Sequence, residues 1–273
     1  MKRLLALLLS ILLALSLVGC AKKAATNEKV LRVGMECGYA PYNWTQSDDS
    51  NGAVQIADSS SFANGYDVMI AKYLADKMGY ALEVHKIDWD SLPIAVQSGK
   101  IDCVIAGQSI TAERLQTVDF TTPYYYASIV AVTKSGSAFA NAASVADLAG
   151  ATVTSQLNTV WYDVCAPQIP DVNLLPAQES APAMWVALES GKCDVIISDE
   201  PAALGALAAY PDFVKLDLAG GDFEVSEEEI NIGISIKKGN ADLLNALNSG
   251  LATLTPDDFT KMMQEAIALS AAL

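Results

Sequence analysis

Histidine is almost missing from this chain: His85 is the single one in 273 residues. It falls in a stretch that reads as a strand, where an imidazole is a structural side chain. One imidazole placed there argues against a Ser/His nucleophile pair and against a histidine metal cluster. Cysteine is sparse too, with five residues, no CxxC pair and no metal-ligand spacing. Basic residues are few, 17 Lys and Arg against 32 Asp and Glu, for a formal net charge of −15. That balance excludes nucleic acid as a partner and excludes charge-driven binding to anionic lipid. No metal or cofactor is implied. Long apolar runs are absent apart from the first residues, although 52% of the chain is hydrophobic, enough for one large or two modest cores.

The one apolar run has the features of an export signal. Met1 to Arg3 are basic, Leu4 to Leu17 are apolar, and Leu17-Val18-Gly19 place small residues before Cys20. The stretch is short for a membrane span and suits a secretory leader. Its Leu-Val-Gly-Cys ending looks like a lipobox, which implies cleavage after residue 19, lipidation of Cys20 and a soluble domain tethered to a membrane by acyl chains. Residues 20–29 then read as the lipidated cysteine and its tether. The expected location is extracytoplasmic, at the cell membrane or in the periplasm.

Ser98 to Arg114, SGKIDCVIAGQSITAER, organises the rest. Gly99 and Lys100 close a helix, and Ile101 to Ile105 is a short apolar run of the kind found in buried parallel strands. The strand stops in polar groups. Ala106 and Gly107 leave backbone accessible, Ser109 offers a hydroxyl, and Thr111 can cap a helix whose first turn carries Arg114. Ligands sit at the carboxyl ends of strands in open α/β sheets, so this segment aims a guanidinium at a crevice. The phrase returns as Ser190 to Asp199, SGKCDVIISD. Two copies predict two similar α/β lobes whose strand ends carry opposite charges, Arg114 and Asp199. A free amino acid is a zwitterion of that shape.

SGKIDCVIAGQSITAER, followed by VDFTTPYYYAS, resembles the solute-binding proteins of polar amino-acid ABC importers, from about Leu31 to the C-terminus. The resemblance implies a type II periplasmic-binding-protein-like α/β fold of two lobes joined by two crossing hinge strands. Lobe 1 would comprise 30–126 and 233–273, and lobe 2 would comprise 127–232. It further implies a monomer that captures a polar amino acid and hands it to ABC transporter permease subunits. Tyr39, after the first strand, takes the family's ligand-stacking position, with Trp89 as a second aromatic wall. Glu36 could meet a basic ligand side chain. The turn Gln156-Leu157-Asn158-Thr159 opens a helix over Val160 to Cys165, and Asn158 and Thr159 become ligand contacts there. Leu157 and Asn158 depart from the family's usual Gln-Gly-Thr-Thr. Met69 stands where the family has a second acid in the motif that starts at Gly65-Tyr66-Asp67.

Along the chain, Leu31 to Met35 is the first strand, and 45–64 is a polar surface excursion longer than the family's hairpin. Tyr66, Met69, Ile70, Tyr73 and Leu74 form a core-facing helical stripe. Leu82 to Ile87 is a strand. Ile129 to Val132 crosses to the second lobe, and Ile230 to Ile236 returns. Cys165 with Cys193 is the first disulfide pair to test, with buried free thiols as the alternative for these two and for Cys37 and Cys103. An enzyme of the prephenate or arogenate dehydratase kind and a sensory ligand-binding domain are the rival functions. The segment Gly107 to Thr111 fails the nucleophile-elbow pattern at its fifth position.

Overall fold

The computed structural model describes residues 29–272, so the leader, Cys20 and most of the tether lie outside the described residues. The chain enters through β1 (Val30–Met35) and a small antiparallel sheet made of β2 (Gly38–Tyr39), β3 (Asn43–Gln46), β4 (Val54–Gln55) and β5 (Phe62–Asn64), in the order β2-β3-β5-β4. The stretch expected to be a surface excursion is therefore partly a sheet. Ile56, Ala63 and Asn64 are buried within it, while Ser, Asp and Asn residues fill its turns.

Helix α1 (Tyr66–Met78) buries Tyr66, Ile70 and Leu74 fully, whereas Met69 and Tyr73 of the same stripe sit at the core's margin. Gly79 closes it in the left-handed conformation. After β6 (Ala81–Lys86), helix α2 (Leu92–Ser98) ends at left-handed Gly99, as the Ser-Gly-Lys phrase predicts. Ile101, Cys103, Val104 and Ile105 are all buried, yet only β7 (Cys103–Val104) joins a ladder. Thr111 heads a single 3₁₀ turn, Arg114–Gln116, in place of a full helix, and its Oγ1 accepts from the Arg114 N–H at 3.3 Å. Then comes β8 (Val118–Phe120).

The crossing lies earlier than Ile129. It is β9 (Tyr125–Tyr126), while β10 (Ile129–Lys134) is already an inner strand of the second sheet. That sheet also takes β11 (Thr152–Thr154) and β12 (Asn173–Leu174). Helix α3 (Ala181–Glu189) leads to β13 (Val195–Asp199), and α4 (Glu200–Ala209) to β14 (Phe213–Lys215). Its order is β12-β11-β13-β10-β14, with β13 buried at every residue. Trp161–Cys165 forms a π-helical turn followed at once by a 3₁₀ turn, because Pro167 cannot supply the N–H a longer helix needs.

A short helix α5 (Glu227–Ile230) precedes the return. The single alternating strand expected over Ile230 to Ile236 is split into β15 (Asn231–Ile232), which pairs with β9, and β16 (Ser235–Lys237) in the first sheet. The Gly233 N–H between them goes to the Gln108 carbonyl at 3.0 Å. The first sheet runs β6-β1-β7-β16-β8, and α6 (Ala241–Leu251) and α7 (Pro256–Ser270) complete the chain. Thr255 caps α7 in a capping box with Asp258. Cys37, Cys103, Cys165 and Cys193 are all free and buried, so the Cys165–Cys193 bridge is not formed. Each acts as a small apolar side chain.

Candidate functional site

Parallel strands end in loops on one edge of a sheet, and here the two sheets turn those edges toward each other. From the first come Glu36 to Tyr39 after β1 and Ala106 to Ser109 after β7. From the second come Gln156 to Thr159 after β11, and Asp199 at the last position of β13. The first-lobe loops are braced from behind. Asp67, fully buried, accepts from Asn43 Nδ2 and from the Tyr124 hydroxyl, both at 2.7 Å. The Tyr124 oxygen in turn accepts the Gly107 N–H at 3.1 Å. Burial raises Asp67 to about 6 against the pull of those donors.

Arg114 reaches across the seam. One guanidinium nitrogen donates to the Ser109 carbonyl at 2.8 Å and another to the Asn158 carbonyl of the second lobe at 2.6 Å. Its plane lies over the Trp89 ring, 5.5 Å from the centroid. Trp89 itself donates Nε1–H to the Leu157 carbonyl at 3.0 Å, a second bond between the lobes. Burial lowers the Arg114 pKa to about 10, which leaves the group charged at neutral pH. A guanidinium has five N–H donors, so two carbonyls do not exhaust it.

Asp199 supplies the opposite charge. It caps α4 by accepting the Ala202 N–H at 3.0 Å on Oδ1, and its Oδ2 accepts the Tyr39 hydroxyl of the other lobe. Burial lifts its pKa to about 7. The Tyr39 ring stacks on Tyr42 with centroids 5.0 Å apart. It also passes Gly107 closely: a Cβ there would lie 3.2 Å from the ring, on a backbone with φ +62°. Only glycine fits this position without strain.

Tyr39, Trp89, Gly107, Ser109, Arg114 and Thr159 line one narrow cleft. Asn158 joins them through its carbonyl on Arg114, and Asp199 through Tyr39. Asn158 adopts a left-handed φ of +55°, which turns that carbonyl toward the other lobe. Glu36 is set back from the cavity. Its Oε2 accepts Gln156 Nε2 at 3.1 Å, while Oε1 is buried without a partner, and burial raises its pKa. Ala106 is buried and does not line the cavity. Two lining residues, Gln156 and Trp161, went unread in the sequence. The available signal was position: Gln156 ends a strand as Ser109 does, and Trp161 opens the turn that faces Trp89.

Residues 31–267 match the family described as bacterial extracellular solute-binding proteins, family 3. Among curated proteins, the chain is 28% identical over 235 residues to the L-cystine-binding protein TcyJ of Escherichia coli (strain K12), covering 86% of this chain and 81% of that one. It is 27% identical over 255 residues to the arginine-binding extracellular protein ArtP of Bacillus subtilis (strain 168), covering 92% of each. Among solved structures, it is similar to the substrate-binding protein AbpA of an amino-acid ABC transporter from Streptococcus pneumoniae, bound to L-arginine. That match has a TM-score of 0.74 and 26% identity over 89% of this chain and 96% of that one. An ancestral amino-acid-binding protein, a precursor of cyclohexadienyl dehydratase, matches with a TM-score of 0.70 and 29% identity, over 87% of this chain and 95% of that one.

Proposed function

The chain belongs to the bacterial extracellular solute-binding proteins of family 3, and from that premise we propose how it captures an amino acid between two lobes for delivery to an ABC transporter. One observation carries the reading: a half-buried guanidinium from one lobe lines the aromatic-walled seam, and a buried carboxylate from the other is bonded to one of its walls, Tyr39. Arg114 grips the ligand carboxylate through parallel N–H donors, and the hydroxyls of Ser109 and Thr159 and the backbone at Gly107 and Asn158 complete that end. Asp199 receives the ligand ammonium in place of the Tyr39 hydroxyl. Tyr39 and Trp89 wall the ligand's side chain. A ligand that touches both lobes only when they are shut has higher affinity for the shut form, and that difference drives closure.

The ligand class is a basic amino acid such as arginine. Arginine is the ligand of ArtP and AbpA, and the unpartnered carboxylate oxygen of Glu36, directly behind the lining residue Gln156, would suit a basic side chain. We divide the chain into lobe 1, residues 30–126 and 233–273, and lobe 2, residues 127–232. Cleavage before Cys20 and lipidation of its thiol would hold the monomer at the outer face of the membrane. Calorimetry with the twenty amino acids, cystine and ornithine tests the reading. Wild type should bind arginine, and Arg114→Ala should lose measurable binding while still unfolding cooperatively. Glu36→Gln should erase the preference for arginine over glutamine. Unchanged affinity in Arg114→Ala would sink the clamp.

A further inference from the structure

A second groove runs between the lobes on the far side of Arg114. Asp90 and Glu113 from the first lobe, and Asp163, Glu228 and Glu229 from the second, line it, with Arg114 as its one basic residue. Acidic side chains on a surface are ordinary, but this groove holds more than charge. Gln108 also lines it, is 2% exposed, and leaves its amide oxygen without a hydrogen-bond partner. A buried acceptor left unpaired costs stability until a donor arrives. The acids alone attract any cation; the amide oxygen adds an acceptor that an N–H donor can satisfy.

We propose that this groove is a binding site for a small organic polycation, an alkyl chain carrying two or more separated ammonium groups. Three features fix that class. Among the described residues no group of three or more His, Cys, Asp or Glu side chains could hold a metal ion, so the acids are spread along the groove rather than gathered at a point. Charges at intervals match ammonium groups at intervals. Between them the groove presents Trp89, Pro93, Val160 and Val164, apolar surface for methylene spacers. Glu113 and Asp163 take part in no salt bridge among the described residues, and the Asp163 carboxyl is pushed up by burial and by the nearby Glu113 charge. Arg114 already draws the Asp163 carboxyl down in part, and a further cation between the two acids would offset their mutual repulsion.

Trp89, Arg114 and Thr159 line both this groove and the amino-acid cavity, and both cavities need the two lobes together. The polycation and the amino acid therefore favour the same shut arrangement, and each raises the other's affinity by the same factor. That coupling rests on the proposed capture reading; the polycation site itself does not.

The test is calorimetry of the full chain with spermidine as probe. One spermidine should bind per chain, and Glu113→Gln with Asp163→Asn should weaken it about tenfold, a loss in the range of two partly exposed charge pairs. Gln108→Glu should tighten binding and Gln108→Leu weaken it; if the leucine variant does not fold, the glutamate variant carries this arm. Saturating spermidine should raise the affinity for arginine. Absence of spermidine binding would overturn the site, and so would binding indifferent to the Glu113 and Asp163 changes. Binding of an oligolysine peptide without spermidine binding would reject the small ligand in favour of a basic protein segment. Thermal shift with arginine alone, on the same sample, reads the capture function separately. A chain that binds spermidine but no amino acid would overturn capture and leave the groove site standing.

Discussion

In the proposed capture reading, Asp199 is the residue where ligand binding and pH sensitivity meet. Its carboxyl titrates near 7 in the folded protein, above the usual carboxylate range, because it is buried. A carboxyl raised by folding contributes stability that is present below its unfolded pKa, about 4, and is lost as pH rises through the folded value. Asp67, raised to about 6, acts in the same direction. The melting temperature of the ligand-free protein should therefore fall between pH 5 and 8. Ligand affinity should move the other way, because an ammonium needs the ionised carboxylate. Calorimetry at pH 6 in buffers of different ionisation enthalpy should show proton release on binding, and none at pH 8.5. Asp67 also braces the site. Asp67→Ala leaves the Tyr124 hydroxyl and the Asn43 amide without their acceptor, a loss of about 2–4 kcal/mol. Urea unfolding measures that loss. Because Tyr124 holds the Gly107 N–H, arginine affinity should fall as well.

At the scale of elements, the site is made by ends. Four strand ends and the single turn at Arg114 supply the charged and hydrogen-bonding groups, while helices supply caps and backing. The entry to α1 shows how little freedom such a junction has. Gly65 sits at φ +126° with the Tyr42 carbonyl where a Cβ would go. Replacing it by alanine should cost about 1–3 kcal/mol through backbone strain. Denaturant titration should show an earlier midpoint with an unchanged slope, since the exposed surface on unfolding stays the same. The crossing pair is equally spare: two residues of β9 against two of β15. So short a ladder can twist without disturbing either sheet, which suits a hinge.

In the whole molecule, four side-chain hydrogen bonds across the seam join the lobes in addition to the crossing strands. Trp89 to Leu157, Arg114 to Asn158, Tyr39 to Asp199 and Gln156 to Glu36 all join the two lobes. Each is a polar contact that water can replace, so opening costs little and a ligand can reset the balance. Arginine should therefore reduce the radius of gyration measured by small-angle scattering. The cores on either side are closed to reagents. Burial pushes the thiols of Cys37, Cys165 and Cys193 up to about 12. A thiol-specific chromophore should label none of the four cysteines of the folded domain and all four in denaturant, with no reductant needed.

Sequence alone determined the two-lobed α/β plan, the opposed charges of Arg114 and Asp199 and the aromatic positions Tyr39 and Trp89. Apolar runs, Gly-terminated helices and a repeated Ser-Gly-Lys phrase are local signals, and a strand end faces a crevice wherever the strand lies. Only the tertiary structure decided that Tyr39 spends its hydroxyl on Asp199, that Gln156 and Trp161 line the cavity and that Ala106 does not. It likewise decided that the crossing falls at Tyr125–Tyr126. These facts join residues far apart in the chain, and a two-residue strand is too short to show a period. The free cysteines make the same point: spacing allowed a bridge, and packing in three dimensions kept the sulfurs apart.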